Sequence, residues 1–200
     1  MRSKGLLALL VLALLVSLAG CAGCSTYNAL VEADETVARA WADLQAQYQR
    51  RADLIPNLVR TVQASATFER ETLEAVTNAR ARATAITLSA EDLSDPEKVR
   101  QFQEAQAQLS GALARLLAVA ENYPQLQTTE AFRDLLAQLE GTENRITVAR
   151  RDYNEAVRQY NTRVRRFPTV LIASLTGFRT KEPFEAAEGA QQAPQVQFDL

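Results

Sequence analysis

Six polar residues interrupt the apolar heptad positions of this chain, and they are its candidates for chemistry in a protein core: Asp34, Glu69, Arg80, Gln106, Glu143 and Arg150. Carboxylates inside a helical bundle can hold iron or manganese, but those sites also use Glu-x-x-His pairs. The chain has no histidine, which also removes the usual general base and every Ser-His or Cys-His nucleophile pair. We therefore predict a polar core layer that fixes helix register, with no catalytic residue, no metal and no cofactor.

One ion pair is predicted within this layer. Counting residues outward from the connectors near positions 92 and 125 places Arg80, Gln106 and Glu143 within about one helical turn of the same level. A lone charge in a core is costly, so each buried charge is expected to have a partner. We predict that Arg80 pairs with Glu143 and that Gln106 assists the pair.

The elements that must position these residues are helices, because residues 25–167 are rich in Ala, Leu, Glu, Gln and Arg and contain no alternating β-branched runs. Asp53 is expected to cap a helix that has Pro56 in its first turn, and Ser94-Asp95-Pro96-Glu97 reads as a capping box. The predicted bounds are 26 to about 50, 53 to about 87, 94 to about 121, and 128 to 166. One kinked helix in place of the first two is an alternative. Sustained heptad seams and short connections predict an all-α fold, a long antiparallel up-down-up-down four-helix bundle.

The N-terminus has the features of a lipoprotein signal. Two basic residues precede an apolar run at 6–16, and Leu18-Ala19-Gly20-Cys21 resembles the bacterial lipobox. Residues 1–20 are expected to be removed, and Cys21 is expected to carry lipid. The alternative is an uncleaved anchor in the inner membrane, but the apolar stretch from Leu6 to Ala19 has 14 residues, whereas a bilayer span needs about 20. Cys21 and Cys24 lack the further ligands that a zinc site requires.

Charge and composition define the two ends of the mature chain. The formal net charge of −2 and the absence of a glycine-rich phosphate loop argue against nucleic-acid and nucleotide binding.

A basic cluster of Arg158, Arg163, Arg165 and Arg166 is predicted at the same end of the bundle as Cys21. These arginines can meet anionic lipid headgroups or complement the helix dipole, and both interpretations stay open. Apolar residues 170–178 follow, on the bundle base or in the membrane interface. The predicted domain is 21–180, and residues 181–200 are predicted to be a disordered tail that is a candidate for partner binding.

Several longer motifs resemble the LemA family in the family's order across about residues 25–180. They are YNALV at 27–31, RRADLIPNLV at 50–59, ETLEAVTNARA at 71–81, ENYPQL at 121–126, LEGTENRITVARRDYNEAVRQYN at 139–161 and FPTVLIASLTGF at 167–178. The resemblance implies a membrane-attached, extracytoplasmic helical bundle without established enzymatic activity. It also implies an envelope partner such as a membrane peptidase or a TPM-domain protein. Phe68 departs from the family, since many members have a histidine there.

The leading functional hypothesis is a non-enzymatic, lipid-anchored scaffold or adaptor that faces the periplasm or the cell exterior and presents its helices to an envelope partner. The alternative is a sensor or binding protein for a small apolar or peptide ligand held between the helices. An enzyme would need chemistry based on carboxylates alone, because the chain offers no histidine.

Overall fold

The computed structural model of the protein describes residues 2–64 and 68–184, with side chains from Gly23 onward. Within these ranges the protein is all-helical and contains no β-strand, as predicted. The elements are α1 (Arg2–Gln63), α2 (Arg70–Ala85), a 3-10 turn (Asp92–Ser94), α3 (Pro96–Ala120), α4 (Pro124–Gln127), α5 (Glu130–Arg165) and α6 (Thr169–Thr176). The short helices α4 and α6 were not anticipated as separate elements.

Helix α1 continues through Pro56, so the predicted break at residues 51–53 is wrong and the single-helix alternative holds there. A proline inside a helix lacks the N–H that would bond the carbonyl four residues earlier, which here belongs to Ala52. The Arg80 Nε donates a hydrogen bond of 2.7 Å to that Ala52 carbonyl oxygen. The carbonyl freed by Pro56 therefore has a partner, and the helix extends to Gln63.

The third and fourth long helices begin and end within two residues of their predicted bounds, but the predicted cap of α3 is wrong. Asp95, and not Ser94, caps α3, because its carboxylate accepts hydrogen bonds from the backbone N–H groups of Glu97 at 3.0 Å and Lys98 at 3.3 Å. Pro96 is the first helical residue, where its missing N–H has no helical partner to lose. Thr129 directly precedes α5, and its side chain makes no capping hydrogen bond there.

Neighbouring long helices run in opposite directions. Helix α1 packs along α5, and the direction follows from three contacts: Ala29 with Arg163, Tyr48 with Arg150, and Arg51 with Glu143. Helix α2 opposes α1, because Arg80 bonds the Ala52 carbonyl whereas Trp41 and Gln45 both bond the carbonyl of Leu88, just after α2. It also opposes α3, because Gln106 bonds the Ala83 carbonyl whereas Arg115 lies 3.8 Å from Glu71.

The core consists of two apolar clusters stacked along the helices. One cluster contains Trp41, Phe102 and Tyr153, and the other contains Ile55, Leu109 and Leu139. In α1 the boundary falls between Tyr48 and Ile55, in α3 between Phe102 and Leu109, and in α5 between Leu139 and Ile146. The gap between the clusters is therefore at one level of the structure.

The chain after α6 turns back along α5. Gly177 ends α6 with a positive φ of 84°, which favours glycine. Lys181 and Phe184 are buried, with 5% and 4% exposure, so the predicted domain boundary at residue 180 is too early. The rest of the predicted tail, 185–200, lies outside the described residues.

Candidate functional site

A buried arginine occupies the gap between the two apolar clusters. Arg51 is 1% exposed, and its Nη1 donates to Glu143 Oε1 at 2.9 Å and to Ser110 Oγ at 2.8 Å. Its Nη2 donates to Gln106 Oε1 at 2.6 Å. The guanidinium also lies 5.3 Å from the centre of the Tyr48 ring. Helices α1, α3 and α5 are thus joined through one side chain.

The predicted Arg80–Glu143 pair is wrong, because Arg51 is the partner of Glu143 and Arg80 bonds the Ala52 carbonyl instead. Sequence reasoning missed Arg51 because it ended the first helix at residue 50. The signal was present, since Arg51 follows Tyr48 by three residues and precedes Ile55 by four, which continues the heptad steps. Gln106 and Glu143 lie at this level, and Gln106 also donates to the Ala83 carbonyl at 3.2 Å.

The other three predicted layer residues lie elsewhere. Asp34 accepts an ion pair from Lys181 Nζ at 2.6 Å, and Arg150 donates to the Tyr48 hydroxyl at 3.0 Å. Glu69 is exposed at the start of α2, because the helix predicted to contain it is interrupted just before it. The six residues therefore do not form a single layer. Within the described ranges, no three acidic or cysteine side chains converge as metal ligands would.

The end of the molecule that contains α6 exposes large apolar side chains. Phe167 is 75% exposed, Leu171 56% and Leu175 86%, whereas Ala173 on the opposite side of α6 is buried against the core. Helix α6 packs on both α1 and α5, and the Phe178 ring just after it meets Tyr27 of α1 with 5.8 Å between centroids. We call the exposed side chains of Phe167, Val170, Leu171 and Leu175 the apolar base.

The predicted basic cluster divides into two kinds of arginine. Arg158 is neutralised locally by an ion pair of 2.6 Å with Glu155. Arg163 donates to the Ala29 carbonyl and Arg165 to the Asn161 carbonyl. Neither of these, nor Arg166, is ion-paired within the part of the chain that the structure describes. Residues 156–180 contain no Asp or Glu, so the apolar base is bordered by positive charge.

The predicted lipidation site Cys21 lies in α1, and its side chain is outside the part of the protein that the structure describes. Cys24 is an exposed free thiol. Among the residues whose side chains the structure describes, no helical stretch combines the length and apolarity of a membrane span.

Burial and local hydrogen bonds change the pKa values of a few side chains. Burial raises the pKa values of Tyr153 and Tyr160, two residues of α5 that lie in the protein core. At the surface, hydrogen bonds from Lys98 and then Ser89 hold the pKa of Asp92 well below its usual range. The tyrosines therefore stay neutral in the folded protein at physiological pH.

These features define, over the described residues, an all-helical protein with a charged layer in its core, made of Arg51, Gln106, Ser110 and Glu143, and with an apolar base bordered by arginines. The chain belongs to the LemA family, since the model of that family matches residues 40–198. It is 38% identical over 74 residues to magnetosome proteins MamQ 1 and MamQ 2 of Paramagnetospirillum magneticum, covering 37% of this chain and 27% of each relative. It is 26% identical over 174 residues to magnetosome protein MamQ of Magnetospirillum gryphiswaldense, covering 79% of this chain and 64% of that protein. The chain thus spans less than two thirds of the length of these relatives.

Proposed function

We propose that this LemA-family protein is a non-enzymatic, membrane-anchored, extracytoplasmic scaffold or adaptor that presents a helical bundle to an envelope partner. The observation that carries the proposal is the apolar base. Exposed apolar side chains bordered by positive charge at one end of a molecule suit the boundary between lipid headgroups and acyl chains. That end also contains Tyr27, which follows the predicted lipidation site Cys21 by six residues, or about 9 Å of helix.

The proposal takes α1, α2, α3 and α5 as an antiparallel up-down-up-down bundle. The opposed directions of α1 and α5, of α1 and α2, and of α2 and α3 support this arrangement. In it, the start of the bundle and the end of α5 meet at the membrane. The loops between α1 and α2 and between α3 and α5 lie at the far end.

The surface offered to the envelope partner is a shallow groove between α1 and α5. It has a volume of about 380 Å³ and is lined by apolar side chains that include Ala40 and Val148 and by charged side chains that include Asp43 and Arg145. Val148 is 48% exposed, so apolar surface is available for burial against a second protein. The groove lies on the side of the bundle, away from the apolar base.

Lipid attachment is tested by replacing each cysteine in the full chain and following the incorporation of a labelled fatty acid. We expect Cys21→Ser to abolish labelling and to release the protein from the membrane fraction, because Cys21 is the cysteine of the lipobox and Cys24 lies after it. The matched control Cys24→Ser keeps both. Labelling that survives Cys21→Ser contradicts a lipidated anchor.

Orientation is tested by placing a photo-crosslinking residue at Val148 or at Leu175 in the anchored protein within its native envelope. We expect position 175 to capture lipid and position 148 to capture a protein, which mass spectrometry then identifies. Capture of lipid at position 148 in place of protein contradicts the scaffold role.

A peptide-binding role is a second candidate, favoured by one observation. An extended segment of the chain itself, residues 181–184, is held against α5 by side chains that bond its main chain.

A further inference from the structure

Two asparagines of α5 hold an extended segment of the same chain. Asn161 donates to the Lys181 carbonyl at 2.7 Å and accepts from the Lys181 N–H at 2.9 Å. Asn154 makes the same pair of bonds with Phe184, both at 2.8 Å. Each side-chain amide therefore bonds the donor and the acceptor of one residue's main chain.

The spacing of these clamps fits any extended peptide. Asn154 and Asn161 are seven residues apart, which is about 10.5 Å along a helix. Lys181 and Phe184 are three residues apart, which is about 10 Å along an extended chain. The segment runs opposite to α5, because Lys181 pairs with Asn161 and Phe184 with Asn154. Hydrogen bonds to main-chain groups contribute affinity without requiring a particular side chain on the peptide.

The backbone between the clamps is also bonded. The Glu182 N–H donates to the Leu93 carbonyl at 2.8 Å, and the Tyr153 hydroxyl donates to the Glu182 carbonyl at 2.9 Å. Donors and acceptors from α5 and the 3-10 turn thus border a groove, which we call the strap groove, and residues 181–184 are the strap.

Two pockets in the strap groove select side chains. Lys181 places its Nζ 2.6 Å from Asp34 Oδ1 and 5.4 Å from the centre of the Tyr160 ring. These groups complement one positive charge.

The second pocket is aromatic. The Phe184 ring stacks on Trp41 at 5.8 Å and meets the ring of Tyr153 edge-on at 5.3 Å and that of Phe102 at 6.2 Å. The three aromatic side chains come from α1, α5 and α3, so the pocket is built by the tertiary fold.

We propose that the strap groove is a binding site for an extended peptide segment in which a lysine is followed, three positions later, by a phenylalanine. The occupant is such a segment of a partner protein, and residues 181–184 fill the site in cis in its absence. Two main-chain clamps, an acidic pocket and an aromatic pocket at matched spacing are what recognition of this segment requires. The inference goes beyond the scaffold role and holds whether or not the chain is anchored.

The test empties the groove in the full chain and offers the segment in trans. Lys181→Glu combined with Phe184→Ala weakens the strap and leaves the groove residues unchanged. The probe is a synthetic peptide with the sequence of residues 179–186, and the control peptide carries the same two substitutions. Binding is followed by calorimetry and by the fluorescence of Trp41, the single tryptophan of the chain, which a bound phenylalanine contacts.

We expect the native peptide to bind the strap variant at least about tenfold more tightly than the control peptide. We also expect it to bind at least about tenfold more tightly than it binds the wild-type chain, where the tethered strap competes at millimolar effective concentration. Adding Asn154→Leu and Asn161→Leu to the strap variant should abolish binding. Equal binding of the two peptides to a strap variant with native helix content overturns the proposal.

Two further measurements test the proposal if the doubly substituted strap variant does not fold. Phe184→Ala alone should give the same ranking of peptides. In the wild-type chain, the amides of Lys181 and Phe184 should exchange their hydrogens at least about a hundredfold faster than the amide of Tyr153, through local release of the strap. Exchange of all three at the rate of global unfolding makes the strap a permanent part of the core and overturns the proposal.

Discussion

Replacing Glu143 with glutamine removes the carboxylate that pairs with Arg51 and leaves the shape of the charged layer nearly unchanged. Loss of one partner from a fully buried ion pair costs about 3–5 kcal/mol, because the other charge stays buried and uncompensated. The Glu143 side chain is 45% exposed, whereas that of Arg51 is 1% exposed. Solvent therefore screens part of the charge, and we expect Glu143→Gln to lower the free energy of unfolding by about 2 kcal/mol.

The same substitution should be nearly harmless once the arginine is gone. Arg51→Met leaves the buried Gln106 Oε1 without its donor, which costs about 1–3 kcal/mol, but it leaves no buried cation. In that background we expect Glu143→Gln to change stability by less than about 0.5 kcal/mol. The pair should thus show a coupling free energy of about 2 kcal/mol in a double-mutant cycle.

The assay is urea unfolding followed by circular dichroism at 222 nm, with linear extrapolation for the four chains. Glu140→Gln is the matched control, because Glu140 is exposed on the same helix and forms no ion pair among the described residues. It should change stability by less than about 0.5 kcal/mol. A coupling free energy below about 0.5 kcal/mol for Arg51 and Glu143 would refute the idea that the layer depends on this ion pair.

Three further predictions concern single positions. Gly111→Ala and Gly141→Ala should each stabilise the protein by about 0.5–1 kcal/mol, because both glycines lie inside helices and an added Cβ meets nothing within 4 Å. Urea unfolding measures the change, and destabilisation by either substitution contradicts the open space around these glycines. Asp95→Ala should cost about 1 kcal/mol and Ser94→Ala less than half of that, and equal costs would contradict the cap of α3. Burial raises the pKa of Tyr160 above its unfolded value of 10.0. Its contribution to the free energy of unfolding is therefore complete below pH 10 and is lost as the pH rises further. Tyr160→Phe should therefore make stability fall less steeply with pH above 10, by up to about 1.4 kcal/mol per pH unit once the unfolded tyrosine is fully ionised, about one pH unit higher, and an unchanged slope contradicts the raised pKa.

Local sequence signals predicted the helical class and the ends of the last two long helices well, because heptad periodicity and capping residues act over one or two turns. They failed at Pro56, whose cost depends on whether the Ala52 carbonyl finds another donor. That donor is Arg80, 28 residues away, so no local pattern could reveal it. The error at Pro56 then concealed Arg51, which the wrong boundary placed at a helix end.

The strap was missed for a related reason. A disorder prediction from composition uses the mean polarity of a segment, and the segment after residue 180 is polar on average. Phe184 is buried because Trp41, Phe102 and Tyr153 converge on it, and that convergence exists only in the folded bundle. The apolar base could be read from sequence as an apolar run, but its exposure depends on how α6 packs.

The charged layer and the strap groove are linked through helix register. Apolar heptad seams alone allow neighbouring helices to slip by seven residues, a shift of about 10.5 Å that replaces one apolar contact with another. The layer forbids this slip for α1 and α5, because Arg51 would leave Glu143 and remain buried without a carboxylate. The strap groove needs the same register, since Lys181 bonds Asp34 of α1 and Asn161 of α5 at once, and a slip would separate these two groups by about two turns. The residues that interrupt the apolar core therefore keep the acidic pocket and the main-chain clamps of the strap groove together.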